Sequence, residues 1–171
     1  YVNESDTIDL IKRRFTDLDG RQENYLRYYE EDLKGRNSEA FKYFIKKYTL
    51  DPKDLFINTT GMVLAAEYLN DPATALKFYG EIGADTLDLN ACVYCRSRAS
   101  LALQSSIDLQ DLATAGKIAE QLKPYAALPS QISRLIHYHV VTGDTAVIQE
   151  LISKASKTSS TWDIQQFYFR I

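Results

Sequence analysis

The stretch GRNSEAFKYFIKKYTLDP, residues 35–52, reads as one complete helix between its stop signals. Gly35 ends a preceding helix, because only glycine enters the left-handed conformation there without steric cost. Asn37 or Ser38 then caps a new helix, whose Ala40, Phe41, Phe44, Ile45 and Tyr48 recur at helical spacing. Asp51-Pro52 closes it, since proline disfavours helical geometry in the residue before it. Ala40 is small where two helices of a hairpin would cross most closely, and Phe44 supplies a packing aromatic one turn later.

The same grammar extends in both directions. Upstream, Ser5 and Asp6 can cap a first helix (5–20) with Ile8, Ile11, Phe15 and Leu18 on one face, stopped by Asp19-Gly20. A second helix, Arg21 to Lys34, carries Tyr25, Leu26, Tyr28, Tyr29 and Leu33. Downstream, helices are expected over Leu55–Leu69 and Pro72–Ile82, the second opening on Asn70-Asp71-Pro72, a cap followed by an N-terminal proline. Further pairs follow at Leu87–Gln104 with Leu109–Lys123, and at Pro129–Thr142 with Asp144–Ala155. A last helix begins near Ser160 and includes Trp162, Ile164, Phe167 and Tyr168. No segment alternates apolar and polar residues over strand length, so the fold class is all-α.

The small residue early in each second helix tests for a period. Ala40 to Ala75 is 35 residues, Ala75 to Ala115 is 40, and Ala115 to Ile148 is 33. By its period, and by Gly35, Ala40, Phe44 and Asp51-Pro52 with a second copy at Asn70-Asp71-Pro72-x2-Ala75-x3-Tyr79, the chain resembles the tetratricopeptide repeat (TPR) family. Departures lie in the second half, where Ala119 and Ile152 replace the aromatic and Ile148 the crossing alanine. The resemblance implies an α-solenoid, a right-handed superhelix of about four antiparallel helix pairs. These fall at 21–52, 53–86, 87–128 and 129–157, within a single domain spanning 1–171, and the C-terminal helix takes 160–171. An ordinary compact bundle would show the same caps and amphipathic faces; agreement of period and turn chemistry at two junctions favours the repeat. The arrangement also resembles degenerate arrays appended to larger bacterial signalling or transcriptional regulators.

Composition bounds the function. The 171 residues hold 45% apolar and 25% charged residues, with 7 Gly and 4 Pro. A net charge of −3 leaves no basic footprint for nucleic acid. No stretch approaches the roughly 20 apolar residues of a spanning helix, so membrane insertion is not expected and a soluble, cytoplasmic setting is favoured. The first residue is Tyr1, which reads as a processed form or a fragment of a larger protein. There is no Gly-rich phosphate loop and no GxSxG, HExxH or EF-hand spacing, so no catalytic residue, metal site or cofactor is expected.

Cys92-Val93-Tyr94-Cys95 comes nearest to reactive chemistry. A redox pair needs a strand leading into a helix N-terminus, and a zinc site needs two further ligands. The pair falls inside the expected helix 87–104, which reads as two buried small residues, and two cysteines three apart are too few and too close for a disulfide framework. His137 and His139, two apart on a helix, point to different sides. The acidic run Glu30-Glu31-Asp32 beside Arg27 and Lys34 suits a solvated, ion-paired face rather than a catalytic dyad.

Tyrosine is the compositional outlier, 12 Tyr against 1 Trp and 1 Met. Such side chains give large, rigid contact area at interfaces. In the resembled family the first helix of each pair lines a concave groove. That register places Tyr25, Tyr29, Leu64, Tyr68, Tyr94, Arg98 and His137 on one face, to grip a peptide or helix of a partner protein. The ladder of cationic side chains by which some members hold a C-terminal carboxylate is absent. The ending Phe167-Tyr168-Phe169-Arg170-Ile171 suggests self-association through an aromatic end.

Overall fold

The computed structural model describes residues 4–14, 17–50, 52–83, 87–126 and 128–158. Among them every regular element is helical. The elements are α1 (Glu4–Arg14), α2 (Gly20–Leu33), α3 (Asn37–Tyr48), α4 (Leu55–Val63) with a π-helical turn Leu64–Tyr68, and α5 (Pro72–Glu81). They continue with α6 (Val93–Asp108), α7 (Leu112–Leu122), α8 (Pro129–Thr142) and α9 (Thr145–Thr158). The expected C-terminal helix at 160–171, with its aromatic end, lies outside the described residues. The chain divides into two compact units, Tyr1–Asp71 and Pro72–Ile171.

In the first unit α2 and α3 form a close hairpin, α1 packs on α2, and α4 with its π-turn packs on α3. Ala40 is 1% exposed and Phe44 2%, so the residues that announced the hairpin in the sequence form its seam. The Phe44 ring lies 5.9 Å from Tyr28 and 6.4 Å from Tyr48, both buried. Asp19 caps α2, its carboxylate accepting from the Gln22 amide at 2.8 Å. The N-cap of α3 is Arg36, without a side-chain cap, rather than Asn37 or Ser38, which lie within the helix's first turn.

In the second unit α6 is the central element, flanked by α5, α7 and α8, while α9 packs on α8. Ten of the 16 residues of α6 are buried, so no broad face of it is left for water. Ala75 and Ala115 are 0% exposed, but Ile148, the fourth member of the expected series, is only partly covered. Buried Phe78, rather than Tyr79, is the core aromatic of α5.

Four turns share one backbone device. The described residues with positive φ are Gly35 (68°), Asn70 (52°), Gln110 (58°) and Gly143 (79°), spaced 35, 40 and 33 residues apart. At three of them the next residue's amide donates to the carbonyl five positions back: Arg36 to Glu31, Asp111 to Ser106, and Asp144 to His139, each at 2.9 Å. This is the Schellman closure of a helix. At Asn70 the equivalent bond, Asp71 to Ala65 at 2.8 Å, reaches six back. The π-turn carries one extra residue per turn and so absorbs the difference. In two of the turns the following aspartate at once caps the next helix, Asp111 accepting from Thr114 and Asp144 from Val147.

Candidate functional site

Helices α1 and α2 leave a groove of about 670 Å³ between them. Ile8 and Ile11 of α1, Leu18 of the connection, and Tyr25, Leu26 and Tyr29 of α2 line it. The α2 residues follow 3–4 spacing and so share one side of that helix. Tyr25 and Tyr29 act as a unit: their hydroxyls are hydrogen-bonded at 2.8 Å and their rings meet edge-on at 4.7 Å. Lys47 Nζ sits 3.3 Å from the centre of the Tyr25 ring, a cation–π contact that helps hold it. Burial, then the bond from Tyr25, raises the Tyr29 phenol above its ordinary range. Burial pushes Tyr28, behind the pair, up to about 12. Tyr28 and Tyr29 therefore stay neutral at physiological pH, and the tyrosines offer apolar bodies with hydroxyl tips. An ion pair between Lys12 and Glu30 ties α1 to α2 beside the groove.

The remaining expected groove residues are distributed differently. Leu64 is buried at 7% exposure while Tyr68 is 54% exposed. Four residues apart they would share a face of an α-helix, but the π-turn between them rotates the register, so Leu64 joins the core. Tyr68 borders a separate shallow depression against Gly35–Glu39.

In the second unit Tyr94 is 38% exposed on the first turn of α6, but Arg98, one turn later, is 0% exposed. It does not line an open face: α6 packs against α5, α7 and α8, and the Arg98 side chain is fully buried. Its guanidinium lies 5.8 Å from the centre of the Tyr79 ring, and burial lowers its pKa against the opposing pull of Tyr79 and Tyr94. His137 is exposed on α8, its Nδ1 3.3 Å from Gln104 Oε1 of α6. Arg134 likewise donates to Ser100 at 3.1 Å, so α6 and α8 face each other directly.

The cysteines depart furthest from expectation. Helix α6 starts at Val93, not Leu87, because the Asp88 side chain accepts from the Asn90 amide at 2.8 Å and turns the chain there. Cys92 is therefore the N-cap of α6, partly exposed, with the Cys95 amide donating to its sulfur at 3.0 Å. Cys92 and Cys95 are joined by a disulfide, their Cα atoms 5.2 Å apart. Only Cys95 is buried, at 2% exposure. The readable signal was Asp88-Leu89-Asn90, an Asx-type turn lying within an apolar helical pattern. No group of three or more potential metal ligands occurs among the described residues. Nor is any described helix long and apolar enough to cross a membrane.

The chain matches no known protein family, no curated protein and no solved structure.

Proposed function

We propose that this chain is a non-catalytic protein-interaction module built from TPR-like helix pairs, and that the α1–α2 groove takes the apolar face of a partner's helix or peptide. The preformed groove with its tyrosine pair carries this reading. It is concave, apolar in its lining, and rimmed by half-exposed Tyr29 and Leu33, at 41% and 44% exposure. Such a surface contributes affinity by burying apolar area on side chains whose rotamers are already held. The repeat reading draws support from the four left-handed turn residues at near-constant spacing and from the buried series Ala40, Ala75 and Ala115. Contact between α6 and α8, the first helices of consecutive expected pairs, is also what stacked pairs require.

Peptides selected from a random displayed library against the immobilised chain test the reading. They are expected to carry apolar anchors at helical or alternating spacing, and to lose at least about tenfold in affinity for a Tyr29→Ala, Leu33→Asp double variant. Undiminished binding to that variant, with its helical circular dichroism intact, removes the α1–α2 groove as the binding surface. A selection that returns no binder overturns the interaction reading itself.

A further inference from the structure

Cys92 and Cys95 belong to the second unit, are not among the residues that line the groove, and have no part in that reading. Their surroundings are ordered by bonds that do not involve the disulfide. The Cys92 amide donates to the Asp88 carbonyl at 3.0 Å, and Asn90 is held by the Asp88 side chain. Arg96 reaches back along the helix, its Nη1 donating to the carbonyls of Leu89 at 2.9 Å and Asn90 at 3.0 Å. The approach to Cys92 is thus pinned from two sides by bonds other than the disulfide. The same contacts place the Arg96 positive charge against the loop that carries Cys92.

The two sulfurs occupy unlike positions. Cys92 is partly exposed at the helix N-terminus, where the peptide dipoles and the Cys95 amide favour negative charge on its sulfur. Cys95 is 2% exposed behind it. The residues between them are open, Val93 at 52% and Tyr94 at 38% exposure, and form an apolar surface beside the reachable sulfur. An accessible sulfur at a helix N-terminus, a covered partner within bonding reach and an adjoining apolar contact surface are together what exchange with another thiol requires.

We propose that Cys92–Cys95 is a thiol–disulfide exchange site, with Cys92 as the sulfur that meets an external dithiol and Cys95 as its internal partner. One thiolate of the dithiol attacks Cys92 Sγ, forming a mixed disulfide. The Cys92–Cys95 bond breaks, and Cys95 leaves as a thiolate that takes a proton from solvent. The second thiolate of the donor then attacks the donor's own sulfur in the mixed disulfide, and Cys92 departs as a thiolate at the head of α6. The donor loses two electrons and becomes a disulfide; the pair gains them and becomes a dithiol. Run in reverse, the same steps pass oxidation from a partner disulfide to this pair.

Two experiments test this. In the first, Cys95→Ala and Cys92→Ala variants, each shown by circular dichroism to keep its helices, are incubated with oxidised glutathione, and adduct formation is followed by mass spectrometry. Cys92 is expected to form the mixed disulfide at least about tenfold faster than Cys95. Equal rates, or faster reaction at Cys95, overturn the assignment. In the second, the unaltered chain is reduced with dithiothreitol and reoxidised with oxidised glutathione, with alkylation reporting the thiols at each stage. Full cycling between dithiol and disulfide with an unchanged helical signal is expected. Unfolding on reduction, or failure of the pair to re-form, makes the bond a structural cross-link and overturns the proposal.

Discussion

Gly143 and Gly80 show how one substitution can act in opposite senses. Gly143 holds φ at 79°, and a Cβ there would meet no atom within 4 Å, so alanine faces only the backbone cost of the left-handed region. Gly80 lies inside α5 with equally open surroundings and an ordinary φ, where alanine removes backbone freedom from the unfolded chain. Gly143→Ala is expected to lower unfolding stability by about 1 kcal/mol, and Gly80→Ala to raise it by about 0.5 kcal/mol. Urea titration of both variants reads this directly, and changes of the same sign would show that the turn does not hold its conformation in solution. At this scale much was legible in the sequence. Gly35 was read as a turn residue, and Ala40, Phe44, Ala75 and Ala115 as packing residues. Asn70 and Gln110 were not read as left-handed, because neither side chain demands that conformation.

Among the elements, α4 and α6 separate what periodicity can and cannot show. Both were expected as continuous helices, from Leu55 and from Leu87. The widened turn at Leu64–Tyr68 leaves the apolar spacing almost unchanged while shifting the register, so it takes Leu64 from the expected groove without leaving a signal in the pattern. At α6 the apolar spacing runs on through Leu87 and Leu89, but a side-chain hydrogen bond at Asp88 competes with the helix and delays it to Val93. That delay converts two presumed core residues into a capped, bonded pair. The disulfide closes a loop of only four residues (Cys92 to Cys95), so its removal is expected to cost no more than about 2 kcal/mol. Chemical denaturation with and without dithiothreitol checks this. A far larger loss would mean that the start of α6 depends on the bond rather than on Asp88 and Arg96.

For the molecule as a whole, global stability should carry the mark of one buried histidine. His139 is 5% exposed, packed edge-on against Tyr138 at 5.0 Å, with Asp144 3.8 Å from its Nδ1. Burial, only partly opposed by Asp144, lowers its pKa from 6.5. The unfolded chain therefore takes up this proton more readily than the folded one, and stability falls as pH drops below the ordinary histidine value. Unfolding free energies measured on either side of that value should show the loss, and His139→Gln should reduce it. A pH dependence identical in the variant would clear His139 of the effect.

Composition, periodicity and turn chemistry sufficed to determine an all-helical chain with helices in nearly their observed places, because caps, left-handed turns and amphipathic spacing act within a few residues of one another. Burial and pairing required the tertiary structure. Tyr25 and Tyr29 border a groove because α1 covers only part of α2. Arg98 is enclosed because three helices close around α6, and the two cysteines meet because a side-chain turn sets where that helix begins. Each depends on groups brought together by packing or by a single competing hydrogen bond, and neither leaves a periodic trace along the chain.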